Sequence, residues 1–440
     1  MITKDERQTL DDSATWDLSL IPDKWEFIKL GETRKSDDRY SFAGGPFGSD
    51  LTSKEYTDSG VQIIQLQNIL EGKFNNKYRI FTTEEKADSL GKCNIYPGEI
   101  VIAKMAEPVA RACIVPEHAP RFLMASDSIR LSPDTERFDK KFLMYAINAP
   151  YFRKQAEINS TGTTRLRIGL TNLSNLQIMM PPLKEQQKIS EILSTADEQI
   201  ENTEQLIQKT KELKKSLMQQ LLTKGIGHTE FKQTELGEIP VAWEICLLKD
   251  ISCKLSIGLV TTMTKYYVDN GIPLIRNSDI KEGYISKRQM VYLDGDFSNL
   301  HESKKLLLDD IVTVHTGDIG TSALITKDLV GCHGFATLNT RVKSNVILPD
   351  YLMRYFNSVV AKQQFYNFST GDGRNNLNLK DFENTKIVVP NSLQEQQKIA
   401  EILSTVDEQI DSYEKEKEKQ IELKKGLMQQ LLTGKLRVTV

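Results

Sequence analysis

The segment EQQKISEILSTADEQI at Glu185–Ile200 returns as EQQKIAEILSTVDEQI at Glu395–Ile410, an offset of 210 residues. The same offset aligns ELKKSLMQQLLT from Glu212 with ELKKGLMQQLLT from Glu422, and 27 of the 39 positions from Glu185 to Thr223 are identical. Fainter matches lie upstream: IPDKWE at Ile21 answers IPVAWE at Ile239, and GVQIIQLQNI at Gly60 answers GIPLIRNSDI at Gly271. FLMYAINAPYF at Phe142 answers YLMRYFNSVVA at Tyr351, and STGTTRLRIGL at Ser160 answers STGDGRNNLNL at Ser369. A repeat on this scale dictates an architecture of module, helix, module, helix. Strong identity in the helices beside weak identity in the modules implies one mechanical task done twice while the modules differ in what they touch.

The helices carry a four-three spacing: Ile189, Leu193, Ala196, Ile200, Thr203, Ile207 and Thr210, matched by Ile399, Leu403, Val406, Ile410, Tyr413, Lys417 and Gln420. This is a coiled-coil seam. Two such rods in one chain are expected to pack against each other, antiparallel; 39 residues give about 58 Å at about 1.5 Å per residue. Pro182 precedes the first rod, Ser392 and Glu395 are spaced for a capping box on the second, and Gly225 and Gly434 offer left-handed stops. The modules read as mixed α/β, an α+β arrangement. VQIIQL from Val61, EIVIAK from Glu99 and RACIV from Arg111 are strand-like, and the segments from Asp139 and Pro349 have helical periodicity. The expected boundaries are an N-terminal arm 1–20, first module 21–181, first spacer helix 182–225, linker 226–238, second module 239–391, second spacer helix 392–434 and tail 435–440.

Charge excludes an obvious basic nucleic-acid domain. The chain carries a net charge of -3; residues 21–181 hold 22 basic and 20 acidic side chains, and 239–391 hold 17 and 16. Any contact with nucleic acid must therefore come from local clusters. The five cysteines are scattered without a C-x-x-C, and the five histidines are dispersed, so neither a disulfide framework nor a zinc site is expected. No apolar run approaches the roughly 18 residues of a membrane span, and the start lacks a secretory pattern; a cytoplasmic protein is expected.

Catalytic signatures are missing too. There is no Gly-rich phosphate loop and no dinucleotide fingerprint. Asn148-Ala149-Pro150-Tyr151 approximates the loop with which amino-methyltransferases hold a flipped base, but it interrupts a helical pattern and its counterpart is Asn357-Ser358-Val359-Val360, so a helix break is the expected reading.

Two diverged modules, each followed by a helix bearing EQQKI-EILSTxDEQI and LKKxLMQQLL, resemble the specificity subunit of type I restriction-modification systems across nearly the whole chain. PFGSDL at Pro46–Leu51 and HTEFKQTELGEIPVAWE between rod and second module add to the likeness; the second module departs from it with SIGLVTTMTKYY from Ser256. The resemblance implies two target-recognition domains reading the halves of a bipartite, asymmetric DNA site, arranged about a quasi-twofold axis. The rods would set the gap and dock two modification subunits, which use S-adenosylmethionine to methylate adenine. Restriction subunits using ATP and Mg would complete a nuclease. The chain itself is expected to be no enzyme and to bind no cofactor, metal or membrane, with the N-terminal arm packing near the C-terminal helix. Candidate DNA contacts are Thr163, Thr164, Arg165 and Arg167 in the first module and Arg374, Asn375 and Asn376 in the second, because both loops are polar, glycine-containing and equivalent; Ser49, Lys54 and Lys265 are further candidates. Gly162, Gly371 and Gly373 read as turn formers, and Phe365, Tyr366 and Phe368 as core rather than stacking residues. Docking or spacer roles fall to Gln186, Gln187, Ile189, Leu193 and Ile200, and to Gln396, Gln397, Ile399, Leu403 and Ile410. The competing reading is a non-catalytic scaffold that binds protein or RNA through the modules.

Overall fold

The computed structural model describes residues 22–105, 107–162, 164–369 and 375–439. It divides into two units, 22–203 with 416–439, and 204–415. The expected N-terminal arm, Thr163, Gly371, Gly373 and Arg374 lie outside the described residues.

In the first unit, two four-stranded sheets stack. One runs Phe42–Gly44, Ser128–Leu131, Ile100–Ala103, Ala112–Ile114, all antiparallel. The other runs Phe81–Thr82, Val61–Ile64, Phe122–Met124, Asn94–Ile95, with Val61–Ile64 and Phe122–Met124 parallel. The first sheet's strands are buried on both faces, so Ile100, Ile102, Ile129 and Leu131 pack on helices while Val101, Ala103 and Cys113 meet the second sheet. The second unit repeats the plan: Ser252–Ile257, Thr337–Val342, Ile311–Val314, Ser322–Leu324 in one sheet, and Tyr267–Val268, Val291–Leu293, Ile272–Arg276, His333–Phe335 in the other. Its parallel pair is again Ile272–Arg276 with His333–Phe335. Each module also closes on itself through a two-stranded pairing of its ends, Glu26–Lys29 with Gln177–Met180, and Glu244–Leu247 with Lys386–Val389.

The helical segments break where the sequence suggests. Lys140–Asn148 is followed by Pro150–Ile158, with Pro150 at the start of the second helix; Pro349–Phe356 is followed by Val359–Phe368. Asn148 brackets the edge strand, accepting from Ala112 N (3.0 Å) and donating to Ala112 O (2.8 Å). Asn357 does the same with Ser322 at 3.0 and 2.9 Å. These amides complete a ladder that would otherwise leave buried main-chain groups unpaired; the methyltransferase-like tetrapeptide is a structural bracket. Phe365 is fully buried against Phe356 and Phe382, Phe368 is partly buried, and Tyr366 is exposed.

The rods are Leu183–Lys224 and Leu393–Leu431. Gly225 (φ 66°) and Gly434 (φ 70°) take the left-handed stops. Within the first unit, Asp197 pairs with Lys424 and Thr203 with Gln420, the latter at 3.0 Å. Within the second, Lys211 pairs with Glu414 (2.6 Å) and Lys214 with Asp407 (2.8 Å). Numbers rise on one rod as they fall on the other, so the rods run antiparallel in each unit. Each core takes in both: Ile189, Leu193, Leu431 and Leu432 in the first, Met218, Leu221, Leu222, Ile399 and Leu403 in the second.

The capping box expected at Ser392 is half made. Glu395 N donates to Ser392 Oγ (3.4 Å), but the Glu395 carboxylate accepts from Trp243 Nε1 (3.1 Å), Ile226 N (3.0 Å) and His228 Nε2 (2.7 Å). Its repeat partner Glu185 accepts from Trp25 Nε1 (3.1 Å) and from Arg437 Nε and Nη2 (2.7 and 3.0 Å). A buried indole N–H needs an acceptor, and the Glu395 and Glu185 carboxylates supply a charged one. The paired W-E and E-Q-Q motifs of the two repeats are therefore one joint, built twice.

Candidate nucleic-acid interface

Four loops from distant parts of the first module converge at one edge of its sheets. The loop 45–50 leaves strand Phe42–Gly44 and passes over the turn 125–127. Gly45 N donates to Ser128 O (2.8 Å), and a Cβ on Gly45 would lie 1.9 Å from Ala125 O, so only glycine fits. Lys104, just beyond strand Ile100–Ala103, donates its N–H to Asp127 O (2.7 Å) and accepts from Ile168 N (3.0 Å) at its carbonyl. Ile168 belongs to the hairpin Ser160–Thr161 with Arg167–Ile168, whose turn includes Gly162 at φ +103°. Arg167 reaches back to Asp127, Nη2 to Oδ1 at 2.8 Å. Burial, followed by the Arg167 charge, holds the Lys104 ammonium below its ordinary pKa, and Asp127 opposes the shift. Thr164 and Arg165 are exposed at the hairpin tip and Arg167 is exposed beside it.

The second module builds the same frame from other residues. Gly258 N donates to Thr337 O (2.9 Å), and its Cβ would lie 2.2 Å from Gly334 O. Leu377 N donates to His315 O (3.0 Å), and Thr316 is bridged to Asn376 as Met105 is to Arg167. Thr316 Oγ1 donates to Asn376 Oδ1 (2.6 Å), so its lone pairs are what His315 Nδ1 (2.8 Å) meets, which assigns the proton to Nδ1. Burial pushes the His315 pKa below its ordinary value, keeping the ring neutral at pH 7. The Asn376 amide is thus held in one orientation by a neighbour rather than left to rotate. Asn375 and Asn376 are both exposed, and Asn375 O accepts from Gly317 N (3.2 Å).

Thr164, Arg165 and Arg167 thus sit in the rim of the first module, and Asn375 and Asn376 in that of the second. Ser49 lies on the 45–50 loop, with its Oγ 3.4 Å from Asp50 Oδ1. Lys54 and Lys265 fall on different segments, the short 3-10 turns Ser53–Glu55 and Thr264–Tyr266, where both are exposed and Lys265 Nζ lies 4.8 Å from the centre of the Tyr266 ring. Sequence reading missed Lys104, His315 and Thr316, because nothing local marks a residue that becomes a neighbour only through sheet pairing. It also missed a basic cleft on the edge strand Ser252–Ile257, where Lys254 Nζ donates to Ser303 O and Lys304 Nζ to Ile257 O, both at 2.6 Å. Lys305 and Arg341 line it, Lys305 paired with Glu302 at 2.6 Å and Arg341 with Asp310 at 2.7 Å. The Lys254 and Lys304 ammonium groups are thus held by main-chain carbonyls, which leave their charge uncancelled.

Of the rod residues, Gln186, Ile189, Leu193, Gln396, Ile399 and Leu403 are buried inside their own units. Gln186 accepts from Asp139 N (2.8 Å) and donates to Pro181 O (2.8 Å); Gln396 accepts from Leu348 N (2.8 Å) and donates to Pro390 O (2.9 Å). All six are turned into their own units, where Gln186 and Gln396 fasten rod to module. Gln187 and Gln397 are exposed, and Ile200 and Ile410 half-buried. Ile410 lines a groove of about 920 Å³ in the second unit together with Met218, Tyr284 and Val359. Among the described residues there is no cluster of metal-ligating side chains, and no helix is long and apolar enough to cross a membrane.

Comparison with known proteins adds a family. The model described as the type I restriction modification DNA specificity domain matches residues 22–212 and again 240–423. The type I restriction enzyme MjaVIII specificity subunit of Methanocaldococcus jannaschii is 28% identical over 322 residues, covering 72% of this chain and 75% of the relative. The EcoBI specificity subunit of Escherichia coli is 22% identical over 433 residues, covering 95% and 86%. Among solved structures, a chain from work on complex assembly and conformational transition of the type I R-M system superposes with a TM-score of 0.60 at 16% identity, covering 94% of this chain and 99% of that one. That likeness is one of fold.

Proposed function

Because the chain belongs to the type I restriction-modification DNA specificity family, whose members are the non-catalytic DNA-recognition subunits of those systems, we propose that it reads a bipartite, asymmetric DNA target, one half per module. The observation that carries this reading is a constant frame with variable chemistry. Both rims use a glycine pressed on a turn and a bridged loop pair, yet Lys104, Met105 and Arg167 in one are replaced by His315, Thr316 and Asn376 in the other. A frame kept while its side chains change is what two recognition surfaces of different specificity require. Arginine suits guanine and asparagine suits adenine in the major groove, while Lys254 and Lys304 supply phosphate contacts that position the second module. Thr164 and Arg165 at the hairpin tip of the first module, together with Thr163, Arg374, Ser49, Lys54 and Lys265, complete the proposed surface.

In the same reading the exposed rod residues Gln187 and Gln397, and the groove lined by Ile410, take up two modification subunits, which bring S-adenosylmethionine to adenine. Restriction subunits with ATP and Mg join through them, in the cytoplasm where such DNA is met. The test is to sequence adenine methylation in cells that make this chain with its modification subunit, against cells lacking the chain. One new motif, two short blocks separated by a fixed gap, supports the function. A stable assembled complex that leaves no new motif refutes it and favours a scaffold.

A further inference from the structure

We propose that Phe47 in the first module and Val260 in the second each make an apolar contact with a nucleobase in the half-site their module reads. The inference rests on the DNA-reading function above and extends it to two side chains of the rims. Phe47 is 75% exposed and Val260 70% exposed. A single exposed apolar side chain is ordinary on a protein surface; two at one structural position in diverged modules are not.

Their equivalence follows from strand register. Gly44 pairs with Ile129, which also faces Ile102; Ile257 pairs with Leu338, which also faces Thr313. The next residue is the glycine clamped on the neighbouring turn, Gly45 or Gly258. Two residues further on stand Phe47 and Val260. The loops GGPFGS and IGLVTT share little beyond that glycine, and a solvated loop has no need of an apolar side chain at this point. The clamp fixes each loop to the rim: Gly45 rests on the turn holding Asp127 and hence Arg167, and Gly258 on the turn Gly334–Thr337. A rim of polar readers with one apolar projection complements a duplex, whose grooves mix hydrogen-bonding edges with the thymine methyl and whose opened steps expose base faces. The two side chains differ in size and shape, as two halves of an asymmetric site would require.

The experiment uses the chain assembled with its modification subunit, the cognate duplex, and duplexes in which one half or the other is scrambled. Phe47→Ala is expected to weaken cognate binding about tenfold and to leave binding unchanged where the half read by the first module is scrambled. Val260→Ala is expected to act the same way, by a smaller factor, on the other half. Because both side chains are exposed, neither truncation removes core packing, and unchanged melting confirms this. Replacing thymine by uracil separates the two possible sources of the apolar surface. If the methyl is touched, the substitution weakens the wild type and adds nothing to the variant. If a base face is touched, 2-aminopurine at that step brightens on binding wild type but not Phe47→Ala. The inference is overturned if the wild type discriminates between duplexes while both variants bind all of them as it does, or if they lose affinity equally on cognate and scrambled DNA. A wild type that does not discriminate overturns the DNA-reading function itself.

Discussion

Trp25 and Trp243 show how much one residue decides here. Each indole is buried and gives its N–H to a glutamate in the first turn of a rod, so one side chain ties the module's entry to the start of its rod. The second partner differs, Arg437 from the C-terminal tail in one unit and His228 from the linker in the other. Cysteines follow the same logic of burial. Burial pushes the Cys113 thiol up to about 12, against the opposing main-chain hydrogen bond of Leu70 and the Arg111 charge, and pushes Cys332 up to about 12 as well. A folded-state pKa raised above the ordinary value of 9.0 stabilises the fold fully below that value and is lost as pH climbs toward 12. Denaturant midpoints should therefore fall across that alkaline window. In native protein at pH 8, an alkylating reagent should label exposed Cys253 first, while Cys93, Cys113 and Cys332 react only after unfolding. Equal labelling of all five would contradict the buried assignments.

At the scale of elements, the rods carry polar residues in an otherwise apolar seam. Thr203 and Thr210 are buried there, and Thr203 donates to Gln420. Polar seam positions cost stability and favour one register, here the one that brings Thr203 to Gln420. This suits a spacer, whose length must not drift. Inserting one heptad after Thr203 and another before Gln420 preserves the seam and lengthens each rod by about 10 Å, equivalent to about three base pairs at about 3.4 Å each. The gap in the methylated motif should widen by that amount with both half-sites unchanged. An unaltered gap would remove the rods from the role of ruler.

At the scale of the molecule, two units with separate cores share the same plan. The first core is centred on Phe142, Leu143 and Phe152, the second on Trp243, Tyr351 and Phe356. Trp243 is fully buried, and Trp243→Ala should cost the second unit about 3 to 5 kcal/mol, with a further loss because Glu395 gives up a donor. Calorimetry of the variant should show one transition moving to lower temperature while the other stays. A single transition that shifts as a whole would mean that the rods couple the two cores into one cooperative system.

The repeat, the rods, the antiparallel pairing, the first-module strands Val61–Ile64, Ile100–Ala103 and Ala112–Ile114, and the helix breaks at Asn148 and Asn357 were all legible in the sequence, because each is a local pattern or a copy of one. The polar, glycine-containing stretches at Ser160 and Ser369 were legible as equivalent loops, since such residues mark a turn wherever it lies. What surrounds those loops was not legible. Lys104 beside Arg167, Thr316 beside Asn376 and Gly45 upon Ala125 are brought together by sheet pairing between segments tens of residues apart, including the parallel strands Val61–Ile64 and Phe122–Met124. The inward turn of Gln186 and Gln396 was hidden for the same reason: their acceptors and donors belong to main chain far from the rod. Periodicity tells which face of an element is apolar, but only the folded chain decides which distant polar groups that face must satisfy. The sequence by itself thus determined the architecture, and the tertiary structure decided which side chains meet in the two rims.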